Sequence, residues 1–142
     1  TPKPSSAASD VYKRQADWRD IRPMPAPITG IVPVDDGIYV GTAEDLVFLA
    51  GTTFDQLAYL ERQTGPVVPG SAVAAPGRYL KLGDGVGAGP AMVCIAGGEI
   101  VAGFAGGQTV SLTANRFKTP VVEVAATFRV VNEIPQYLAV PQ

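Results

Sequence analysis

The chain has 142 residues, 11 of them basic and 13 acidic, for a net charge of −2. That length suits one domain of ordinary size or part of a larger one. Histidine is absent and Cys94 is the single cysteine. These two facts remove Ser-His-Asp and Cys-His catalysis, any internal disulfide and the commonest zinc ligand. No apolar run approaches the ~18–20 residues of a membrane-spanning helix, and no basic stripe offers itself to nucleic-acid phosphates.

Residues 5–15 read SSAASDVYKRQ. They can be encoded by a string that looks like a transposase tagmentation adapter read in frame, and residues 1–4 fit its upstream tail. Residues 1–15 are therefore expected to be adapter-derived and disordered, with the native part starting near Ala16, inside a longer parent protein. Without Lys3, Lys13, Arg14 and Asp10 the balance becomes 8 basic and 12 acidic residues, a net charge of −4.

Sixteen glycines and eleven prolines punctuate the remainder. Both residues disfavour helix interiors, so short strands separated by turns are expected. The clearest element is a hairpin: residues 29–34, an Asp35-Asp36-Gly37 turn, and residues 38–42. Asp-Gly would supply the positive φ angles of a type I′ turn. Pro33 cannot donate to a ladder, which places it on an edge or at a bulge. Residues 43–45 make a turn and residues 46–50 a third strand.

Thr53-Phe-Asp-Gln56 resembles a helix capping box, but the repeat described below favours a strand over residues 57–62. Residues 66–89 are loop-rich, with one strand near residues 78–82 and a glycine-rich inter-strand loop over residues 83–89. Strands follow at residues 91–96, 99–104 and 108–113, joined by Gly97-Gly98 and Ala105-Gly-Gly107. Residues 127–131 and 136–140 flank a turn at residues 132–135 and make a last hairpin.

Ile38-Tyr39-Val40 aligns with Met92-Val93-Cys94, and Asp45-Leu46-Val47 with Glu99-Ile100-Val101. In that frame residues 57–62 match residues 108–113. Repeats of ~40–50 residues with four short strands each signal propeller blades. The expected fold is all-β, with propeller-like antiparallel blades: residues 16–65 as a first repeat, 66–115 as a second and 116–142 as a C-terminal hairpin. A β-sandwich is the alternative.

Each motif that could carry chemistry also has a structural reading, which is the one expected. The glycine-rich stretch Gly83-Asp-Gly-Val-Gly-Ala-Gly89 lacks the Lys-Ser/Thr and following helix of a phosphate loop. Asp35 and Asp36 are turn neighbours that point apart, unlike an acid/base pair. With Glu44 and Asp45 they lack the Asp-x-Asp-x-Asp spacing of a calcium loop. Gly106-Gly107-Gln108 matches the tripeptide of class I peptide release factors, but it joins two strands in an acidic chain. Cys94 lies in an apolar run and is expected to be a buried thiol. No catalytic, cofactor-binding or metal-binding residue is assigned, no cofactor is expected, and the chain is read as non-enzymatic.

An ordered set of motifs carries a family resemblance. It comprises Met24-Pro-Ala-Pro-Ile-Thr-Gly30, Pro33-Val-Asp-Asp-Gly-Ile-Tyr-Val-Gly-Thr42, residues 46–51, Val68-Pro-Gly-Ser71, Gly106-Gly-Gln-Thr-Val-Ser-Leu-Thr113 and Gln136-Tyr-Leu-Ala-Val140. Together they resemble the C-terminal part of a tailed-bacteriophage virion protein family with propeller-like repeats. Pro135 departs from that family's last hairpin. The resemblance implies a structural role in the virion, as part of a tail or head–tail connector, with other tail or portal proteins as partners. Membrane and specific nucleic-acid partners are not expected. The alternative is a carbohydrate-binding β module that recognises host glycans through aromatic residues such as Tyr39 and Tyr79. Two blades leave open edges, so the isolated chain is expected to associate.

Overall fold

A computed structural model describes residues 24, 26–53, 58–82, 85–113, 118 and 122–142. Among them the chain is all-β: twelve strands in antiparallel sheets, two short 3-10 turns and no α-helix. The sheets do not close into a barrel.

The first sheet is a meander of β1 (Ile28–Val34), β2 (Gly37–Thr42), β3 (Asp45–Ala50) and β4 (Ala58–Thr64), in that order. The second places β5 (Val73–Pro76) beside β8 (Pro90–Ala96), then β9 (Glu99–Gly103) and β10 (Thr109–Ser111). Between β5 and β8 sits a small hairpin of β6 (Lys81–Leu82) and β7 (Gly85–Val86), and β11 (Val124–Val131) with β12 (Ile134–Pro141) closes the chain.

Alternation of side chains across each strand builds three layers. Val32, Val34, Tyr39, Leu46 and Phe48 of the first sheet meet Met92, Cys94, Ala96 and Val101 of the second. The opposite face of the second sheet (Ala75, Ala91, Val93 and Ala102) is covered by Phe128 and Tyr137 of the hairpin. Val68, Ile95 and Val124 extend that contact, with Ala126 and Ala139 packed on them. On the outer face of the first sheet, Val40, Val47 and Leu49 cluster with Ile38 and Met24. The second sheet is thus apolar on both faces because both are covered, the pattern expected of a central layer.

Segments aligned in sequence occupy corresponding strands. Residues 38–40 and 92–94 lie on β2 and β8, and residues 45–47 and 99–101 on β3 and β9. The expected strand over residues 57–62 is β4, and that over residues 108–113 is the shorter β10. The capping-box residues Phe54, Asp55 and Gln56 lie outside the described residues.

Three local expectations are corrected. The first turn is made by Asp35 and Asp36, with Val34 paired to Gly37, and neither aspartate has positive φ. Gly37 already belongs to β2, and a Cβ there would stand 2.5 Å from the Leu49 carbonyl oxygen and the Phe48 ring. It is glycine for close packing, not for turn geometry. The expected strand over residues 78–82 is a 3-10 turn, Gly77–Tyr79, followed by only two strand residues. The Leu80 amide donates to the Gly77 carbonyl at 3.0 Å and closes that turn. The glycine-rich stretch is not a plain loop either. Gly85 and Val86 pair with Leu82 and Lys81, and the Gly87 amide donates to the Leu80 carbonyl.

Pro33 lies on β1, an edge strand as expected. The last hairpin is longer than expected and its turn shorter: Val131 pairs with Ile134, leaving Asn132 and Glu133 alone at the tip. Both have positive φ, 49° and 64°, the geometry of a type I′ turn. Glutamate holds that conformation at a cost of roughly 1–2 kcal/mol. Glu133→Gly is accordingly expected to raise the thermal midpoint by a few degrees, equivalent to about 1 kcal/mol. Calorimetry checks this, and an unchanged or lower midpoint would show that the Glu133 side chain compensates.

Candidate functional site

The residues that sequence reading singled out are absorbed by the fold. The Asp36 carboxylate accepts the Gly106 amide at 2.9 Å, and the Asp36 carbonyl accepts the Gly51 amide. Asp45 is buried, and its Oδ1 accepts the Thr42 hydroxyl at 2.7 Å. The Glu44 and Asp45 amides both donate to Thr42 Oγ1. The carboxylates therefore organise turns. Among the described residues no three His, Cys, Asp or Glu side chains are grouped as they would be to hold a metal ion.

Gly106-Gly107-Gln108 forms the joint between the two sheets. The Gly107 amide closes its turn on the Phe104 carbonyl at 3.2 Å, with φ of 83° and 79° at the two glycines. From the first sheet, the Tyr39 hydroxyl donates to the Phe104 carbonyl at 2.6 Å and to the Gln108 carbonyl at 3.2 Å. Tyr39 is 1% exposed and its ring packs on Phe48 at 4.8 Å. It cannot touch a glycan. Tyr79 is half-buried beneath the Arg78 guanidinium, 4.8 Å from the ring centroid.

Cys94 is fully buried between the two sheets. Burial pushes its thiol up to about 12, because a thiolate loses its hydration there. A buried neutral thiol is inert, so a water-soluble thiol reagent at pH 8 is expected to label the unfolded chain and not the native one. Rapid native labelling would place the thiol at the surface. Linkage gives a second consequence. The unfolded chain ionises first, so stability is intact below the ordinary thiol range and falls as pH rises toward about 12. Cys94→Ala should weaken the fall of denaturant midpoints across that window.

Two clefts flank the second sheet. One, about 480 Å³, runs along the β5 edge past Ala74, Pro76, Arg78 and Pro90. The other, about 220 Å³, lies between Ile95, Ile100, Val122, Val124, Tyr137 and Ala139. Neither gathers paired titratable groups. Tyr137 is held in place because its hydroxyl donates to the Ser71 carbonyl at 2.6 Å. The Ser71 hydroxyl in turn donates to the Val68 carbonyl and accepts the Ile95 amide. Burial raises the Tyr137 phenol well above its ordinary range.

Four of the nine exposed large hydrophobic residues among those described lie on the outer face of the C-terminal hairpin. Val131, Ile134, Leu138 and Val140 all point to solvent, with Ile134 and Val140 each 60% exposed. Their neighbours on that face are Ala125, Thr127 and the hydrogen-bonded pair Arg129–Gln136. The Arg129–Gln136 pair stands between the Val131/Ile134 end of this face and its Leu138/Val140 end. Sequence reading placed the hairpin but not this face, because extending the turn to Pro135 hid the alternation Ile134, Gln136, Leu138, Val140. Compared with known proteins, the chain matches no family model, no curated protein and no solved structure.

Proposed function

We propose that this chain is a structural, non-enzymatic component of a tailed-bacteriophage virion, part of a tail or head–tail connector that works by protein–protein assembly. The observation that carries the assembly role is the exposed apolar face of the hairpin, which the chain's own layers leave uncovered. The phage assignment rests on the ordered motifs between Met24 and Val140.

The same reading takes the two four-stranded sheets as blade-like repeats. The first sheet is a meander of consecutive strands, and the second is one too apart from the β6–β7 hairpin inserted between β5 and β8, unlike the Greek-key crossings of an immunoglobulin sandwich. Equivalent residues also point the same way along the stack. Tyr39 and Leu46 face the next layer, the second sheet, and their counterparts Val93 and Ile100 face the hairpin. Val40 and Val47 face backward from the first sheet, and their counterparts Cys94 and Val101 face backward toward it. A sandwich about a local two-fold would put equivalent faces together. Head-to-tail stacking is what a propeller uses.

Mass spectrometry of purified phage particles that encode this chain tests the role. Its peptides should appear at a stoichiometry comparable to tail or portal proteins. Absence from well-sampled particles would end the reading.

A further inference from the structure

The hairpin stands where a third layer would stand, but it has two strands where the other layers have four. Its two free edges differ. The Gln142 amide enters the ladder to the Glu123 carbonyl, whereas the Val124 amide leaves it for the Pro69 carbonyl. In an antiparallel pair the amides alternate. On β11 the amides of Val124, Ala126, Phe128 and Val130 therefore point away from β12. On β12 the outward positions are Pro135, Tyr137, Ala139 and Pro141. Two of those four are prolines with no N–H to give, and prolines at such positions block strand addition without disturbing the existing ladder. The pairing of Pro135 with Val130 is intact for the same reason. β11 has no proline or glycine, and Ala126, Phe128 and Val130 are only partly buried.

We propose that β11 pairs antiparallel with β11 of a second copy of this chain, making a four-stranded third layer in the order β12-β11-β11-β12. This rests on the assembly role above and names one of its contacts. The register follows from which amides are free. Val124 is already engaged with Pro69, so the pairing that uses the others sets Phe128 opposite its own copy and Ala126 opposite Val130. Each such pair exchanges two hydrogen bonds. Arg129, the only charged residue of the strand, then falls opposite Thr127 of the other copy, so no like charges meet. The two apolar outer faces join into one surface.

The full chain is expected to elute at twice its 14.7 kDa mass and to dissociate on dilution. Ala126→Pro removes an outward amide and leaves the β11–β12 ladder whole, so it should give a folded monomer whose thermal midpoint, unlike the parent's, does not depend on concentration. The double variant Thr127→Cys/Arg129→Cys reads the register. Directly opposite Cβ atoms in an antiparallel pair stand about 4.5–5.5 Å apart, close enough for a disulfide after small adjustment. Oxidation should yield a covalent dimer on non-reducing electrophoresis, with the inert Cys94 taking no part. A full chain that stays monomeric at every concentration, or an Ala126→Pro variant that dimerises and cross-links as the parent does, overturns the proposal. If Ala126→Pro fails to fold, the cross-link alone decides. A monomeric result ends this contact and leaves the virion role to the particle measurement.

Discussion

Replacing Tyr39 with alanine is expected to cost about 4 kcal/mol, the scale of a large aromatic-to-alanine change in a packed core. Natural domains hold only ~5–15 kcal/mol in total, so the variant should lose between about a quarter and most of its stability. Three losses coincide. The ring leaves a void between Phe48 and Gly103, where a Cβ would stand 2.6 Å from the tyrosine ring. The hydroxyl no longer ties the first sheet to the Phe104 carbonyl. The Gly106–Gln108 turn loses its bond from the Tyr39 hydroxyl and keeps the one to the Asp36 carboxylate. Tyr39→Phe separates these effects, since it keeps the ring and loses the hydrogen bonds, at about 1 kcal/mol. Urea midpoints of the two variants check this. Near-equal losses would mean that the hydroxyl, not the ring, holds the joint.

Gly70→Ala is expected to unseat the C-terminal hairpin while sparing the two sheets. Gly70 has φ of 82°, a region that alanine enters only with strain. A Cβ there would also run into the Val124 carbonyl oxygen. The neighbouring Pro69 carbonyl accepts the Val124 amide, and the Ser71 carbonyl accepts the Tyr137 hydroxyl. Residues 69–71 are therefore the mooring of both hairpin strands. The combined strain is on the order of 2–3 kcal/mol. Hydrogen exchange should accelerate across residues 124–141 while β2, β3 and β8 stay protected. Uniform acceleration would show that the hairpin and the sheets unfold together.

What sequence could give and what it could not follow from the physics of each segment. β2, β3, β8 and β9 were legible because glycines and prolines bound short runs of apolar residues. Gly97-Gly98 was legible as a tight turn, and both residues do have positive φ. The Asp35-Asp36-Gly37 turn misled because Asp-Gly is a strong local signal, whereas Gly37 answers to the Phe48 ring across the sheet. Only the tertiary neighbour could reveal that. The Asn132-Glu133 tip was obscured for the opposite reason: glutamate rarely takes positive φ, so nothing local announced a two-residue turn. The exposed apolar face of the hairpin shared that fate, since its alternation appears only once Pro135 is counted inside the strand. Tyr39 looked available to a ligand because sequence does not say which side of β2 is covered.

The double-sided burial of β8 has a consequence for how the chain finds its pairing. In a strand with one wet face, a slip of one residue exposes apolar side chains and is penalised at once. From Ala91 to Ala96 every residue of β8 is buried and none is charged. A one-residue slip would exchange Met92 and Cys94 for Ala91 and Val93 without bringing any hydrophobic group into water. The hydrophobic pattern therefore carries little information about alignment here. That information is held instead by the two-residue Gly97–Gly98 link to β9 and by the Ser71 hydroxyl that takes the Ile95 amide. Lengthening that link by one residue would leave a strand equally content on either side, and a chain with two nearly equivalent ways to thread its own middle layer.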